Sequence, residues 1–221
     1  KGLEIDPERE LLLTAGASQA FFTALLTLVS PGEKVILPTP FYLDHQYAVL
    51  GCGSRVIEVP MVAREGTWRF DIDAIVEAAK DGARALVLVS PNNPTGAVAT
   101  RDDYEKLAAG LNGTDVVLIT DETYDRFTLD EEWSYESAAA VPGLKERTVV
   151  VGSYSKSFAM AGWRMGYLAA PASVIDEALK LQDSMVICAP VVSQIALGAA
   201  LSAEGLASVE EGRLELRRRR E

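Results

Sequence analysis

Short, continuously apolar runs alternate along the chain with stretches in which apolar residues recur every three or four positions. The runs ALVLV, VVLI and TVVV are typical of strands that are covered on both faces. The stretches DIDAIVEAAK and TRDDYEKLAAGL have the periodicity of amphipathic helices. This alternation predicts an α/β fold with three layers (α/β/α), in which helices cover both faces of a mostly parallel sheet. The three apolar strands are expected in the middle of that sheet.

Each of the three apolar runs leads into a polar segment. These segments are NPTG at 93–96, DETY at 121–124 and SYSK at 153–156. Parallel strands end at the same edge of a sheet, and ligands bind at that edge. We therefore expect the three segments to meet there and to form one binding site.

Lys156 carries the most specific chemistry in these segments. Most lysines are solvated surface residues, but this one follows an apolar strand and lies among small residues. An amine that is held against apolar surface has a lowered pKa, because desolvation disfavours the ammonium form. The neutral amine can attack an aldehyde and form a Schiff base. The sequence therefore predicts an aldehyde cofactor beside Lys156.

Asp121 directly follows another apolar strand. Taken alone it could be a helix N-cap, but beside a cofactor its carboxylate could face a cationic ring nitrogen and make the ring a better electron sink. Tyr124 and Asn93 could donate hydrogen bonds to a phenolic oxygen of the same ring, although the residues around Asn93 are also common in turns. Tyr42 could stack on the ring or could be a core aromatic residue.

A phosphate site is predicted where the segment TAGASQAFF enters a helix, because free N–H groups at a helix N-terminus bind anions. Hydroxyl groups and one guanidinium near Lys156 could add hydrogen bonds. The predicted phosphate ligands are Gly16, Ala17, Ser18, Ser153, Ser155 and Arg164. A flat pyridine with an aldehyde, a phenolic oxygen and a phosphate would use all of these groups, so the predicted cofactor is pyridoxal 5′-phosphate (PLP).

Composition narrows the classes of function. The chain has 221 residues and a net charge of −11, which argues against a nucleic-acid-binding protein. Its two cysteines and its single histidine, His45, have no metal-ligand spacing, so no metal site is predicted. No Gly-x-Gly-x-x-Gly follows the first strand, which argues against a nicotinamide-binding Rossmann domain. No apolar stretch is as long as a membrane span and no signal peptide is recognisable, so we expect a cytoplasmic protein that binds no membrane.

With these residues in place, the chain resembles the class I and II aminotransferases, which are fold-type I PLP-dependent enzymes of the aspartate aminotransferase superfamily. Asp121 follows Asn93 by 28 positions, Lys156 follows Asp121 by 35, and Arg164 follows Lys156 by 8. The matching motifs span nearly the whole chain. In family order they are AGASQA, PTPFY, SPNNPTG, DETYDRF and SYSKSFAMAGWRMGY.

The resemblance implies a PLP-dependent aminotransferase that moves an amino group from an amino acid to a 2-oxo acid through a Schiff base on Lys156. It implies catalytic roles for Lys156, Asp121 and Tyr124, and it gives Tyr42 and Asn93 to the cofactor ring. The six predicted phosphate ligands keep that role, although the family often has a small residue at Ser155. Other PLP chemistry (β-elimination, decarboxylation or oxidation) uses the same core residues and stays open, as does a non-catalytic PLP-binding module.

The resemblance also implies how the chain is organised. Residues 1–210 correspond to the PLP-binding large domain without its N-terminal segment, and residues 211–221 to the start of the helix that leads to a small C-terminal domain. Only 65 residues (221 − 156) follow Lys156, so the family's substrate-carboxylate arginine cannot be assigned in this chain. Family members are usually homodimers with their sites at the interface, so we expect the intact protein to dimerise.

Overall fold

The computed structural model describes residues 3–64, 66–127, 129 and 135–220. Lys1, Gly2 and Glu221, which the predicted domain boundaries include, lie outside the described residues. The strands and α-helices follow one another as β1 (Leu11–Thr14), α1 (Ala17–Leu28), β2 (Lys34–Thr39), α2 (Leu43–Gly51), β3 (Arg55–Pro60), β4 (Val62–Arg64), β5 (Thr67–Arg69), α3 (Ile72–Lys80), β6 (Ala85–Val89), α4 (Arg101–Gly110), β7 (Val117–Asp121), β8 (Thr148–Ser153), β9 (Gly166–Ala169), α5 (Ala172–Met185), α6 (Val191–Ala200) and α7 (Ala203–Arg220).

Seven strands form one sheet in the order β1-β9-β8-β7-β6-β2-β3. The strands from β8 to β3 in this order run parallel to one another. β9 pairs antiparallel with both β8 and β1 at one edge. The predicted mostly parallel sheet is therefore confirmed, and the apolar strands β6, β7 and β8 occupy its three middle positions.

Two apolar layers cover the sheet. On one face the strands pack against α3 and α4, and on the other face against α1, α2 and α5. Side chains alternate along a strand, so β7 sends Leu118 into the first layer and Ile119 into the second. The predicted three-layer α/β/α arrangement is confirmed. The alternation also determines which face the residues at the end of β7 reach.

The hairpin of β4 and β5 was not predicted from the sequence. The two strands pair antiparallel, with Ala63 opposite Trp68. Each has only three residues, most of which are exposed. A run of three residues is too short for period-two alternation to be recognised in a sequence, which explains why the hairpin was missed.

The last helix, α7, is polar and lies at the surface. None of its residues is buried, and Arg213 and Arg218 pair with Glu210 and Glu215 about one turn earlier. Among the described residues, no single helix is both long and apolar enough to cross a membrane. Taken together, α6 and α7 meet the length and composition criteria, but they are bent by 76° where they join.

Candidate active site

A cavity of about 570 Å³ lies where the central strands end. Val89, Asp121 and Ser153, the last residues of β6, β7 and β8, all line this cavity. The expectation that the three polar segments meet at one edge of the sheet is therefore confirmed. Ten of the eleven predicted site residues lie in its wall, namely Ala17, Ser18, Tyr42, Asn93, Asp121, Tyr124, Ser153, Ser155, Lys156 and Arg164.

The eleventh predicted residue, Gly16, lies directly behind this wall. It precedes α1 with a φ of 84°, in the left-handed region that favours glycine. A Cβ at this position would overlap the guanidinium of Arg164, so the missing side chain lets that guanidinium lie against the helix N-terminus. No side chain caps the helix. The guanidinium therefore lies close to the first N–H groups of the helix, and an anion bound there could accept hydrogen bonds from both.

Asp121 is buried, with 7% of its surface exposed, and it is held at both carboxylate oxygens. Its Oδ2 lies 3.1 Å from Nε2 of His45, and its Oδ1 accepts a hydrogen bond of 2.9 Å from the backbone N–H of Thr123. Because a carboxylate only accepts, Nε2 of His45 carries the proton in this contact. The carboxylate is therefore fixed in orientation before any ligand arrives.

The same contacts decide the charge of Asp121. Burial favours the neutral acid, but the hydrogen bond and the electrostatic interaction with His45, together with the hydrogen bonds from Thr123, outweigh burial and lower the pKa of Asp121 below its usual value. The cavity therefore has a negative charge at its buried end. A cationic ring nitrogen is a suitable partner for that charge.

His45 is the functional residue that the sequence analysis missed, since it was considered only as a metal ligand. It is 3% exposed, and its ring packs 4.2 Å from the ring of Phe21 and edge-to-face against Tyr42 at 5.5 Å. Its Nδ1 has no hydrogen-bond partner in the described part of the chain. Its position three residues after Tyr42, at the start of a helix, was a usable signal, because residues three apart lie on the same helix face.

Glu122, the neighbour of Asp121, points away from the cavity. It is 1% exposed, and its Oε1 accepts hydrogen bonds from Thr120 at 3.2 Å and from Ser137 at 2.5 Å. This is the alternation of β7 continued past the end of the strand. Of the two adjacent acids in DETY, only Asp121 reaches the cavity.

Lys156 lies in the turn that follows β8, and its side chain is exposed. Its Nζ is 6.0 Å from the centre of the Tyr124 ring, at the outer limit of a cation–π contact. The expectation that apolar surface desolvates this amine is wrong for the chain as the structure shows it. The reason is its position in an open turn beyond the strand, on the side where the cavity meets solvent.

The two asparagines of the PNNPTG loop have different tasks. Asn92 is buried, and its Oδ1 accepts hydrogen bonds from the backbone N–H of Thr95 at 3.1 Å and from the Thr95 hydroxyl at 2.8 Å. It therefore holds the loop in shape. Asn93, the predicted cofactor ligand, lines the cavity together with Tyr124.

Tyr42 and Asp44 form a pair at the open side of the cavity. The Tyr42 hydroxyl donates a 2.5 Å hydrogen bond to Oδ2 of Asp44, and both residues line the cavity. This hydrogen bond, together with partial burial and the negative charge of Asp44, raises the pKa of Tyr42 to about 12. Tyr42 is 40% exposed and lines the cavity, so part of its ring is accessible to a ligand.

Within the ranges that the structure describes, no three His, Cys, Asp or Glu side chains lie close enough together to hold a metal ion. The cavity wall instead contains both acidic and basic side chains. This arrangement suits an extended organic ligand that carries charges of both signs.

Comparison with known proteins assigns the class. The chain matches the family described as aminotransferase class I and II over residues 1–221. It is 37% identical over 219 residues to an aspartate aminotransferase of Pyrococcus abyssi and 36% identical over 220 residues to aromatic-amino-acid aminotransferase 2 of Thermococcus litoralis. Each of these alignments covers 99% of this chain and 56% of the relative.

A solved structure gives the same result for the fold. The N-succinyldiaminopimelate aminotransferase of Mycobacterium tuberculosis superposes with a TM-score of 0.93 at 34% identity, covering 99% of this chain and 56% of that one. The chain therefore belongs to the class I and II aminotransferase family and has the fold of the fold-type I enzymes. Members of this family use PLP. The chain spans only about half the length of these relatives.

Proposed function

We propose that this chain forms the PLP-binding part of an aminotransferase that moves an amino group from an amino acid to a 2-oxo acid. One observation carries the proposal. A single cavity brings together an amine (Lys156), a buried carboxylate (Asp121), a phenol (Tyr124) and an uncapped helix N-terminus beside the Arg164 guanidinium. Each matches a different group of the same cofactor.

The residues fit PLP in size and in charge. A volume of about 570 Å³ is within the usual range for sites that bind small molecules. The space that a Cβ of Gly16 would fill is taken by the Arg164 guanidinium, which supports an anion site at the start of α1. The lowered pKa of Asp121, despite its burial, supports a permanent negative charge for the ring nitrogen.

When it is bound, PLP supplies an aldehyde for the substrate amine and a ring that accepts electron density from the substrate α-carbon. Asp121 would stay ionised and keep the ring nitrogen protonated. Nζ of Lys156 would hold the aldehyde carbon covalently and, once released, would take the proton from the substrate α-carbon and deliver it to the cofactor carbon that had carried the aldehyde. Tyr124 and Asn93 would donate hydrogen bonds to the phenolic oxygen, and Tyr42 would cover one face of the ring.

The phosphate would be held by the backbone at Gly16, by Ala17 and Ser18 at the start of α1, and by the side chains at the end of β8 and beyond. Ser153 is 8% exposed, and its Oγ accepts a hydrogen bond of 3.1 Å from the N–H of Ser155. This contact fixes the position of the hydroxyl, and because Ser153 lines the cavity it supports a role in donating to the phosphate.

The substrate class is not fixed by similarity. The relatives of comparable identity are named for aspartate, for aromatic amino acids and for N-succinyldiaminopimelate. Family membership supports an amino acid and a 2-oxo acid as partners of the reaction. The choice among them depends on residues of the cavity that the cofactor does not use.

The intact protein is proposed to be a homodimer with two domains in each subunit. Large apolar side chains are exposed near the cavity and on α6, and Tyr47, Ile187 and Ile195 are 63%, 70% and 72% exposed. A partner subunit could cover them. The greater length of the relatives supports residues 1–210 as the large domain and residues 211–221 as part of the helix toward a small domain. The cytoplasmic location remains a prediction.

Covalent trapping tests the proposal. The full chain is incubated with PLP and reduced with borohydride, and peptide mapping by mass spectrometry locates the modified residue. We expect the cofactor on Lys156 and no specific attachment in Lys156→Ala, whose amino-transfer rate should fall by about 10²–10⁴-fold. The matched control is Lys180→Ala, which removes an exposed lysine of α5 that does not line the cavity. Trapping that is spread over many lysines would contradict the proposal.

A second measurement separates amino transfer from other chemistry on the same cofactor. Amino acids are supplied to the loaded chain with and without a 2-oxo acid. Transamination requires the acceptor for more than one turnover. Continued product formation without an acceptor would favour a lyase, a decarboxylase or an oxidase.

A further inference from the structure

Asp44 is an ionised group of the cavity that the proposed reaction does not use. It lies in the first turn of α2, where an acidic residue often only complements the helix N-terminus. Here the carboxylate turns instead toward the cavity, accepts the hydrogen bond from the Tyr42 hydroxyl and lines the wall. The residue that would cover the ring therefore has a negative charge beside it.

A count of the charged groups shows what the described residues of this chain offer to the substrate. Among these residues, four Asp, Lys or Arg side chains line the cavity, and they are Asp44, Asp121, Lys156 and Arg164. Under the proposed function, on which this step rests, PLP occupies three of them: Asp121 at the ring nitrogen, Lys156 at the aldehyde and Arg164 at the phosphate. In the described part of the chain, the charge that remains in the cavity wall is the negative charge of Asp44.

We propose that Asp44 is a specificity-determining residue, which disfavours amino donors with a second carboxylate and favours donors whose side chain is neutral or cationic. A like charge in a partly solvated cavity repels, and an opposite charge attracts. Asp44 is exposed, so solvent and salt screen the effect, and we expect a discrimination of about tenfold rather than a complete exclusion.

The hydrogen bond from Tyr42 orients this charge without neutralising it. The pKa of Tyr42 is raised to about 12 by its contacts with Asp44 and by partial burial. The hydroxyl therefore keeps its proton at neutral pH and remains a hydrogen-bond donor to the carboxylate. Tyr42 and Asp44 then act on the substrate in different ways, since the ring covers the cofactor and the carboxylate faces the donor side chain.

Pairs of donors that match in shape test the proposal. The half-reaction of the PLP-loaded full chain is followed by visible absorbance with L-glutamate and L-glutamine, which differ in charge but hardly in size, and with cationic L-ornithine. Equilibrium binding of glutarate and of its monoamide, measured by calorimetry, gives a readout that needs no turnover. Wild type should prefer glutamine and ornithine over glutamate, and glutarate monoamide over glutarate.

Substitutions identify the source of the preference. Asp44→Asn keeps the size of the side chain and should reduce the glutamine-to-glutamate ratio about tenfold. Tyr42→Phe keeps the carboxylate and should retain the ratio. The matched control is Asp73→Asn, since Asp73 lies in the first turn of α3 and does not line the cavity. It makes the same change in net charge and should leave the ratio unchanged. Added salt should weaken the preference in wild type but not in Asp44→Asn.

The outcomes separate this inference from the proposed function. If borohydride traps no PLP on Lys156, the proposed function itself fails. If PLP is trapped there, the inference is overturned by a wild-type preference for glutamate, by a ratio that Asp44→Asn leaves unchanged, or by a loaded chain that responds to none of the three donors.

Discussion

The two ends of the cavity are built in different ways. At the ring-nitrogen end, Asp121 is buried and held by His45 and Thr123, and each contact is made within this chain. At the lysine end, Lys156 and Arg164 are exposed, and the Arg164 guanidinium donates a hydrogen bond of 3.0 Å to the carbonyl of Ala161. The first end is organised before a ligand binds. The second has its charges in place but open to solvent.

The difference shows which function each end can perform without help. A carboxylate that is already fixed in a buried site stabilises a nearby positive charge without having to reorganise. This is the more effective arrangement for stabilising a charged state. An exposed amine and an exposed guanidinium are screened and mobile, so they contribute affinity chiefly once a ligand orders them. Asp121 should therefore affect chiefly the reaction rate and Arg164 chiefly cofactor binding, whereas Lys156 is needed for the reaction itself.

Apart from the loss of Lys156 itself, the largest expected effect is at the buried end. Asp121→Asn keeps the shape of the side chain but removes its charge, so the ring nitrogen loses its partner. We expect the amino-transfer rate to fall by about 10²–10³-fold, because removing one preorganised group from an active site has this cost. The dissociation constant of PLP, measured by fluorescence titration, should change much less. A large loss of affinity at a normal rate would reverse the assignment of the two ends.

The pH dependence of this variant gives a second check. The pKa of Asp121 is lowered from 3.8, since the contacts with His45 and Thr123 outweigh burial. Its ionised form therefore stabilises the fold above pH 3.8, and this contribution is lost as the pH falls through the lower pKa of the folded state. The difference in free energy of unfolding between wild type and Asp121→Asn should narrow in acid. A difference that widens there would mean that the carboxylate is neutral in the fold.

The sequence was sufficient to predict where the cavity lies, because the apolar strands and the polar residues that follow them indicate the same edge of the sheet. Strands that are apolar throughout have to be central, and parallel central strands have to end together. Residues that directly follow such strands, such as Asp121 and Ser153, could therefore be assigned to one edge from the sequence alone. The position of Lys156 along this edge was predicted correctly. Its exposure was not predicted, because the shape of an open turn depends on tertiary packing, which leaves no periodic pattern in the sequence.

His45 shows the opposite case. Its contact with Asp121 joins residues 76 positions apart, and no local pattern encodes that distance. His45 comes close to Asp121 only when α2 packs against its face of the sheet, and the local sequence does not encode that packing. The same limit applies to Asp44. Its position in the first turn of α2 predicts a favourable interaction with the helix N-terminus, but in the structure its carboxylate accepts a hydrogen bond from the Tyr42 hydroxyl.

The next largest effect concerns the packing below the exposed end. Gly166 opens β9, and a Cβ there would lie 2.5 Å from the carbonyl carbon of Gly16 and 2.6 Å from the nitrogen of Ala17. These atoms belong to the backbone and cannot turn aside. Gly166→Ala should lower the free energy of unfolding by about 1–3 kcal/mol, the usual cost of overpacking. It should also weaken PLP binding, because the start of α1 is displaced. Urea unfolding and fluorescence titration measure the two effects.

A matched glycine provides the control. A Cβ at Gly198, inside α6, would meet no atom within 4 Å. Gly198→Ala should therefore raise the free energy of unfolding by about 0.5–1 kcal/mol, because alanine loses less backbone entropy in a helix. Equal effects of the two substitutions would show that close packing at Gly166 does not support the exposed end.

The smallest effect is expected from the pair at the open side of the cavity. Tyr42→Phe removes the hydroxyl that donates to Asp44 and should lower the free energy of unfolding by less than about 1 kcal/mol at pH 7, because exposed charged contacts contribute little. The folded-state pKa of about 12 lies above the usual 10.0, so this contribution is present below pH 10 and is lost as the pH rises toward 12. Urea unfolding at pH 7 and above pH 10 measures the difference. Tyr47→Phe, at a 63% exposed site on the same helix, is the control and should change stability less. A loss as large as that of Gly166→Ala would show that this exposed pair contributes as much stability as close backbone packing, and the contrast between exposed and buried groups of the cavity would then fail.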